Sequence, residues 1–103
     1  MKSIEIQFYS NSQFCSDILD RVRFIRFADD GHTIEDIAEF NIDRFKVAVE
    51  YIKEIYVDIY GAKIVKFKER EVALDAKTLK QLFKEAQKEI DDFEQYMNEK
   101  YGE

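Results

Sequence analysis

The sequence predicts an α+β domain in which a small, single-layer, mostly antiparallel sheet packs against two long helices. Three observations support this fold class. Four segments have the composition or alternation of strands, two long segments repeat apolar residues every three or four positions, and their order is β-(short α)-β-β-α-β-α. A length of 103 residues is typical of one compact domain, so residues 1–103 are predicted to form a single unit.

The first two strands are predicted from side-chain alternation and from composition. Apolar and polar side chains alternate over residues 3–9, which is the pattern of a strand with one buried face. Residues 22–27 read Val-Arg-Phe-Ile-Arg-Phe, and β-branched and aromatic residues of this kind favour strands. The polar connection over residues 11–20 is long enough for one or two helical turns, which supply the short helix of the predicted order.

The segment after the Asp30-Gly31 turn permits two interpretations. An Asp-Gly pair favours a tight hairpin, which predicts a third strand over residues 33–40. A helix is the alternative, because Thr33 is a suitable N-cap and the apolar residues after it also fit helical spacing. Strict alternation fails here, since Ile37 falls on the opposite face from the neighbouring apolar residues. The turn favours the strand, with Asn41 as the N-cap of the helix that follows.

A long helix is predicted from residue 42 to about residue 60, where Gly61 is suited to end it. Its apolar residues recur at steps of three and four: Ile42, Phe45, Val49, Ile52, Tyr56 and Ile59. A second apolar line widens the stripe and consists of Val47, Tyr51 and Ile55. So wide a stripe predicts cover on more than one side, either by a second packing layer or by a homodimer through helix 42–60.

A strand and a second long helix complete the predicted fold. The strand covers residues 62–74, and Asp75 follows it as a helix N-cap. The buried stripe of the final helix is predicted to consist of Leu79, Leu82, Phe83, Ala86, Ile90, Phe93 and Met97. Each long helix therefore has an apolar stripe with which to cover one face of the sheet.

The chain has one cysteine, Cys15, and one histidine, His32. A lone cysteine forms no internal disulfide, which favours a reducing, cytoplasmic location. The Cys and His residues are too few for a structural zinc site, and no glycine-rich phosphate loop occurs, so no metal or cofactor is expected. Cys15 is interpreted as a packing residue rather than a nucleophile, and His32 as an exposed turn residue. A protein without enzymatic activity is therefore predicted.

Neither a basic-then-apolar leader nor an apolar run of about 20 residues, the length of a bilayer-spanning helix, occurs in the sequence. A soluble protein that does not contact membranes is expected. The charges are more informative, because 22 acidic residues stand against 16 basic ones and are unevenly distributed. Residues 1–43 have a net charge of −5, residues 62–88 of +4 and residues 89–103 of −5.

These two acidic blocks and the basic block between them supply the candidate binding residues. The acidic candidates for partner binding are Asp29, Asp30, Glu35, Asp36, Glu39, Asp43, Asp91, Asp92 and Glu94. The basic candidates are Lys66, Lys68 and Arg70, predicted on one strand face, and Lys77, Lys80, Lys84 and Lys88, predicted on one helix face. The final helix has its lysines ahead of its acids, which opposes the helix dipole.

The preferred interpretation is a small acidic, non-catalytic inhibitor whose partner is a nucleic-acid-processing protein with a basic surface. Two acidic blocks can imitate the charge of a nucleic-acid backbone and enter a positively charged groove. Anti-CRISPR proteins, other phage counter-defence proteins and toxin-immunity proteins share this size and charge. The aromatic residues near the acids are candidate anchors: Phe40, Phe93, Tyr96 and Tyr101.

The alternative is a nucleic-acid-binding or regulatory domain that uses the lysine stripe of residues 66–88. The negative net charge and the lack of an aromatic RNA-binding pattern weigh against it. Direct nucleic-acid binding is therefore less expected than a protein partner. An enzyme that uses Cys15 or a carboxylate pair is the third and least favoured interpretation.

Overall fold

Five strands form one mixed sheet in the order β3-β2-β1-β4-β5, and the α+β fold class is confirmed. The computed structural model describes residues 1–11 and 17–102. The strands are β1 (Ser3–Tyr9), β2 (Arg21–Phe27), β3 (Ile34–Asn41), β4 (Ile64–Phe67) and β5 (Arg70–Glu71). Strands β1 and β4 are parallel, and every other neighbouring pair is antiparallel. The sheet is thus the predicted single layer, with one strand more than expected.

Two helices cover one face of this sheet. Helix α1 (Phe45–Ile52) continues as a π-helix over Lys53–Ile59, and helix α2 spans Ala76–Tyr101. Phe8 of β1 is central to the packing, because its ring lies 6.2 Å from Phe45, 5.7 Å from Phe67 and 5.8 Å from Phe83. All three pairs are edge-to-face, the preferred geometry for aromatic rings. This cluster joins β1, β4, α1 and α2 into one core.

Strand β3 confirms the strand interpretation of residues 33–40 and explains why alternation fails there. The pairing of β2 with β3 shifts between Arg26 and Phe27, so Glu35 is the extra residue of a β-bulge. The bulge places Ile34 opposite Phe27, on the face of the sheet that the helices leave open. The predicted Asp30-Gly31 turn precedes the strand. The Asp30 carboxylate accepts hydrogen bonds from the backbone N–H groups of His32 and Thr33.

The predicted helix 42–60 is not regular along its length. A 3-10 turn over Ile42–Arg44 precedes α1, and Asn41 makes no capping hydrogen bond, so the predicted Asn41 cap is wrong. Its side chain instead accepts a hydrogen bond from Arg21 at 2.6 Å. The π-helix adds one residue to each turn and moves later residues out of the predicted stripe. Ile59 is therefore 64% exposed instead of buried.

The predicted strand over residues 62–74 is a hairpin of β4 and β5. Lys68 and Glu69 form the turn, with φ of 49° and 69°, in the left-handed conformation of hairpin turns. Because the chain reverses there, Lys66, Lys68 and Arg70 do not share one strand face, and that prediction is wrong. Lys66 pairs with Glu5 and lies on the open face of the sheet, whereas Lys68 and Arg70 extend towards α2.

Helix α2 begins as predicted but packs over only part of its length. The Asp75 carboxylate caps it by accepting a hydrogen bond from the Thr78 N–H at 2.8 Å. Its buried residues, Leu79, Leu82 and Ala86, all lie in the first half. Phe93 and Met97 are 62% and 37% exposed, so the prediction that they are buried is wrong. We call residues 89–101 the distal half of α2.

The interpretation of Cys15 and residues 12–16 of the predicted short helix lie outside the described part of the chain, whereas residues 17–20 of that connection form a turn and a bend and are not helical. His32 is exposed in the turn before β3, as expected. In the described residues, the model contains no helix that combines the length and the apolarity needed to cross a bilayer.

Candidate protein-interaction site

The acidic residues of β3 are bound within the protein. Tyr56 donates a hydrogen bond to Asp36 at 3.0 Å, and the Arg26 Nε lies 3.7 Å from a Glu35 oxygen. Glu39 accepts hydrogen bonds from the Tyr9 hydroxyl at 2.6 Å and from Arg23 at 3.1 Å. Three of the predicted partner-binding acids therefore stabilise the sheet and its contact with the π-helix.

Arg26 is the centre of this internal network. Its side chain is 7% exposed at a core-facing position of β2, and its guanidinium lies 3.6 Å from the ring centre of Tyr60 and 5.0 Å from that of Tyr56. Aromatic faces attract a partly desolvated guanidinium. Burial, together with the hydrogen bond to Asp36, raises the pKa of Tyr56, so its hydroxyl stays protonated and donates. The cluster holds the π-helix against β2 and β3.

The remaining acids of the first block differ in their surroundings. Hydrogen bonds from the Thr33 hydroxyl and from the backbone of Thr33 and His32 lower the pKa of Asp30 to about 2. Hydrogen bonding to Tyr9, and then to Arg23, lowers the pKa of Glu39. Asp29 is exposed, as is Asp43 in the 3-10 turn. The first acidic block is thus mainly a set of structural carboxylates.

The distal half of α2 is different, because it carries both carboxylates and exposed apolar side chains. These apolar residues are Phe93, Tyr96, Met97 and Tyr101, and between 37% and 66% of each is accessible. The acids on the same segment are Glu89, Asp91, Asp92, Glu94 and Glu99. Within the described residues, no side chain of this segment is buried. The predicted anchors Phe93, Tyr96 and Tyr101 are therefore accessible, whereas Phe40 packs on Phe24 in the core, at 6.0 Å.

Gln87 marks the point where α2 leaves the core. Its side chain accepts a hydrogen bond from the Leu19 N–H at 2.9 Å and donates one to the Asp17 carbonyl at 2.7 Å. Beyond it, a hydrogen bond with Asp17 raises the pKa of Glu94. The loop before β2 is thus attached to α2 at this boundary, and the distal half continues past it.

Three of the predicted basic residues form ion pairs with acids of α2. Lys68 binds Glu89, Arg70 binds Glu85 at 2.8 Å, and Lys88 binds Asp92 at 2.7 Å, one helical turn away. The hydrogen bond to Asp92, together with the charge of that carboxylate, raises the pKa of Lys88. These pairs lie on the surface, where water and salt screen them, so they contribute little to stability.

The other predicted binding lysines of α2 form no ion pair within the described residues. These are Lys77, Lys80 and Lys84, and all three are exposed on one helix face. Lys80, Lys84 and Lys46 surround an open depression of about 430 Å³ between α2 and the start of α1. Its floor includes Phe45 and Phe83. The lysine stripe predicted on the helix is therefore one continuous surface, separate from Lys66.

The sequence interpretation missed the structural use of Arg26, Tyr56 and Tyr60. A signal was present, because Arg26 continues the core-facing series Val22 and Phe24 at the strand period of two. A charged residue at such a position needs buried partners. Among the residues that the structure describes, no group of three or more His, Cys, Asp and Glu side chains is arranged to hold a metal ion.

The distal half of α2 is the surface that combines accessible aromatic rings with carboxylates, which is the chemistry of a protein-binding site for a basic partner. Comparisons of the chain with protein-family models, with curated proteins and with solved structures find no significant match. The function must therefore be inferred from the surfaces of this protein alone.

Proposed function

We propose that this protein is a small non-catalytic inhibitor that binds a basic, nucleic-acid-processing protein, as anti-CRISPR, other phage counter-defence or toxin-immunity proteins do. The observation that carries the proposal is the exposure of Phe93, Tyr96 and Met97 among the carboxylates of the distal half of α2. Clustered apolar side chains of this size are costly to leave in water and are typical of binding surfaces.

The two kinds of side chain have different roles in this proposal. Aromatic anchors supply most of the affinity at protein interfaces, because they fill pockets and exclude water. Carboxylates such as Asp91, Asp92 and Glu94 supply long-range attraction to a basic groove and discriminate against acidic partners. The β3 acids contribute to the negative field of the molecule, whereas their hydrogen bonds and ion pairs are made with residues of the same chain.

The proposal is tested by affinity capture from cells of the native host at low ionic strength, with captured proteins identified by mass spectrometry. We expect the wild-type protein to retain a nucleic-acid-binding protein that the D91K/D92K/E94K variant does not retain. The matched control is E50K/E54K/D58K, which makes the same charge change on exposed acids of α1 and the π-helix. It should retain the partner.

The decisive measurement is competition between nucleic acid and the inhibitor for the captured partner. Increasing concentrations of the partner's DNA or RNA should displace the inhibitor, and F93A/Y96A should weaken binding at every salt concentration. Capture that survives D91K/D92K/E94K, or simultaneous binding of inhibitor and nucleic acid, would contradict the proposal.

A second candidate function is direct nucleic-acid binding, and the unpaired lysines of α2 favour it. Lys77, Lys80 and Lys84 are available for phosphates, whereas Lys68, Arg70 and Lys88 are engaged with carboxylates. Fluorescence anisotropy with short DNA and RNA at low salt tests this role. Binding that K77E/K80E/K84E abolishes would support it, and the absence of binding at tens of micromolar protein would exclude it.

A further inference from the structure

The solvent-facing side of α2 changes sign halfway along the helix. Positions three and four apart on a helix share one face, and here that face lies opposite the buried residues Leu79 and Ala86. Its charged residues in order are Lys77, Lys80, Lys84, Lys88, Asp91, Asp92 and Glu99. All are exposed. We call this the outer face of α2.

The charge order on the outer face does not stabilise helix α2. A helix is stabilised by acids near its N-terminus and by bases near its C-terminus, which is the reverse of the order in α2. On this face, within the described part of the chain, one ion pair joins the two halves, between Lys88 and Asp92. Lys77, Lys80 and Lys84 are left facing water. Contacts within one copy of the chain therefore do not explain the charge order on the outer face of α2.

We propose that a second copy of this chain covers the outer face of α2, with the two helices antiparallel. Reversal of direction places Lys77, Lys80 and Lys84 of one copy along Asp91, Asp92 and Glu99 of the other. A two-fold axis makes the contact twice, once at each end of the interface. A parallel arrangement places like charges together and is repulsive. Antiparallel pairing is thus the orientation that the charges select.

The length of α2 makes this pairing accessible. The helix has 26 residues, which is about 39 Å at the usual rise, and the molecule extends 53 Å along its longest axis. The outer face is exposed along this whole length, so two helices can align without rearrangement of either core. Exposed ion pairs are weak singly and are screened by salt, so the dimer is expected to be salt-sensitive.

Another surface for self-association is the outer side of helix 42–60, where Val47 and Tyr51 are exposed. Contact there is apolar, so it strengthens or stays constant as salt increases. The two surfaces therefore respond differently to ionic strength and to charge reversal on α2. The two self-association surfaces can be distinguished with this protein alone. Failure of the α2 self-pairing therefore leaves the proposed inhibitor function untouched.

The first experiment measures molar mass by sedimentation equilibrium over a range of protein and salt concentrations. At low ionic strength and high protein concentration, we expect the mass to approach twice the 12.3 kDa of one chain, and to return to one chain as salt is added. A mass of one chain under all conditions, or a dimer that salt does not weaken, overturns the proposal.

The second experiment exchanges the charges of the two halves. K77E/K80E/K84E gives an outer face that is acidic apart from Lys88, and D91K/D92K/E99K gives one that is entirely basic, so each variant alone should be a monomer. An equimolar mixture should form a dimer again, because each acidic helix now meets a basic one. A variant that still dimerises alone, or a mixture that stays monomeric, overturns the proposal.

The matched control is K53E/K63E/K66E, which makes the same charge change on exposed lysines outside α2. It should dimerise as the wild type does, and loss of its dimer would attribute the effect to net charge and contradict the pairing. The substituted side chains are all exposed, so thermal unfolding should remain cooperative in every variant.

Discussion

The carboxylates of β3 and those of the distal half of α2 have the same charge but different surroundings. Glu35, Asp36 and Glu39 are held by arginines and by tyrosine hydroxyls of the same chain. The acids of the distal half stand on a helical segment that has no buried residue and that also carries exposed aromatic rings. Net charge alone does not separate these two sets. What separates them is where their partners lie. The β3 acids contact other elements of the fold around Arg26 and Tyr56, whereas Asp91, Asp92 and Glu99 contact side chains one turn away on α2 itself.

Charge reversal should distinguish the two regions most strongly. E35K/D36K/E39K places three cations beside Arg26 and Arg23 and removes the acceptor of the buried Tyr56 hydroxyl. Because it leaves the buried Arg26 guanidinium without a carboxylate and the Tyr56 hydroxyl without its acceptor, we expect a loss of about 3 kcal/mol or more in the free energy of unfolding. D91K/D92K/E94K should change it by about 0.5 kcal/mol or less. Urea denaturation measures both.

This prediction also decides how binding experiments are interpreted. A partner lost on reversal of the β3 acids would report damage to the fold, whereas one lost on reversal of the distal acids would report the interface. Equal stability of the two variants would show that the β3 network does not stabilise the protein.

Truncation of phenylalanines compares the two halves of α2 directly. Phe83 packs on Phe8 and Phe45, so F83A should lose about 3 kcal/mol of unfolding free energy. Phe93 is largely exposed, and F93A should lose about 0.5 kcal/mol or less. Thermal and chemical unfolding of both variants gives the difference. A large loss in F93A would indicate that this side of the distal half is covered.

The boundary between the two halves can be tested at Gln87. Q87A removes two hydrogen bonds to the loop before β2, and a typical loss is about 1 kcal/mol for such contacts. Amide hydrogen exchange should accelerate at Leu19, whose N–H loses its acceptor. Unchanged exchange there would show that the loop is held by other contacts. Q87E offers a milder comparison, because it keeps the acceptor of the Leu19 N–H.

The smallest expected effect concerns pH. Asp30 has a pKa of about 2 in the folded protein against an ordinary value of 3.8, so its ionised form stabilises the fold. This contribution is complete above 3.8 and is lost as the pH falls towards 2. D30N should therefore show a shallower loss of stability over that interval. An unchanged slope in urea titrations at successive pH values would contradict the assignment.

The elements with one clear apolar face were predictable from the sequence. Alternation identified β1, the Asp-Gly turn identified the β2–β3 hairpin, and Asp75 identified the start of α2. These features depend on neighbouring residues, so local patterns are sufficient to predict them. The acidic and basic blocks were likewise visible as counts along the chain.

The remaining features depend on contacts between distant segments. The π-helix brings Tyr56 and Tyr60 to Arg26, and no local pattern announces such a partner. The apolar spacing of α2 continues through Phe93 and Met97, although both side chains are exposed. Periodicity defines a face of the helix but not the extent of the sheet beneath it, so it cannot show where the packing ends. In the same way, the β3 acids appear free in the sequence until strand pairing and the π-helix supply their partners.

The position of β3 in the sheet has one more consequence. It is the outermost strand beside β2, so one side of its backbone pairs with no strand in the part of the chain that the structure describes. Such an edge invites addition of another chain and growth into aggregates. Here the bulge at Glu35 interrupts the line of pairing groups, and Asp36 and Glu39 bring further negative charge to it. Two copies aligned edge to edge would face each other with like charges, so the carboxylates that hold the strand in place also limit aggregation of the protein.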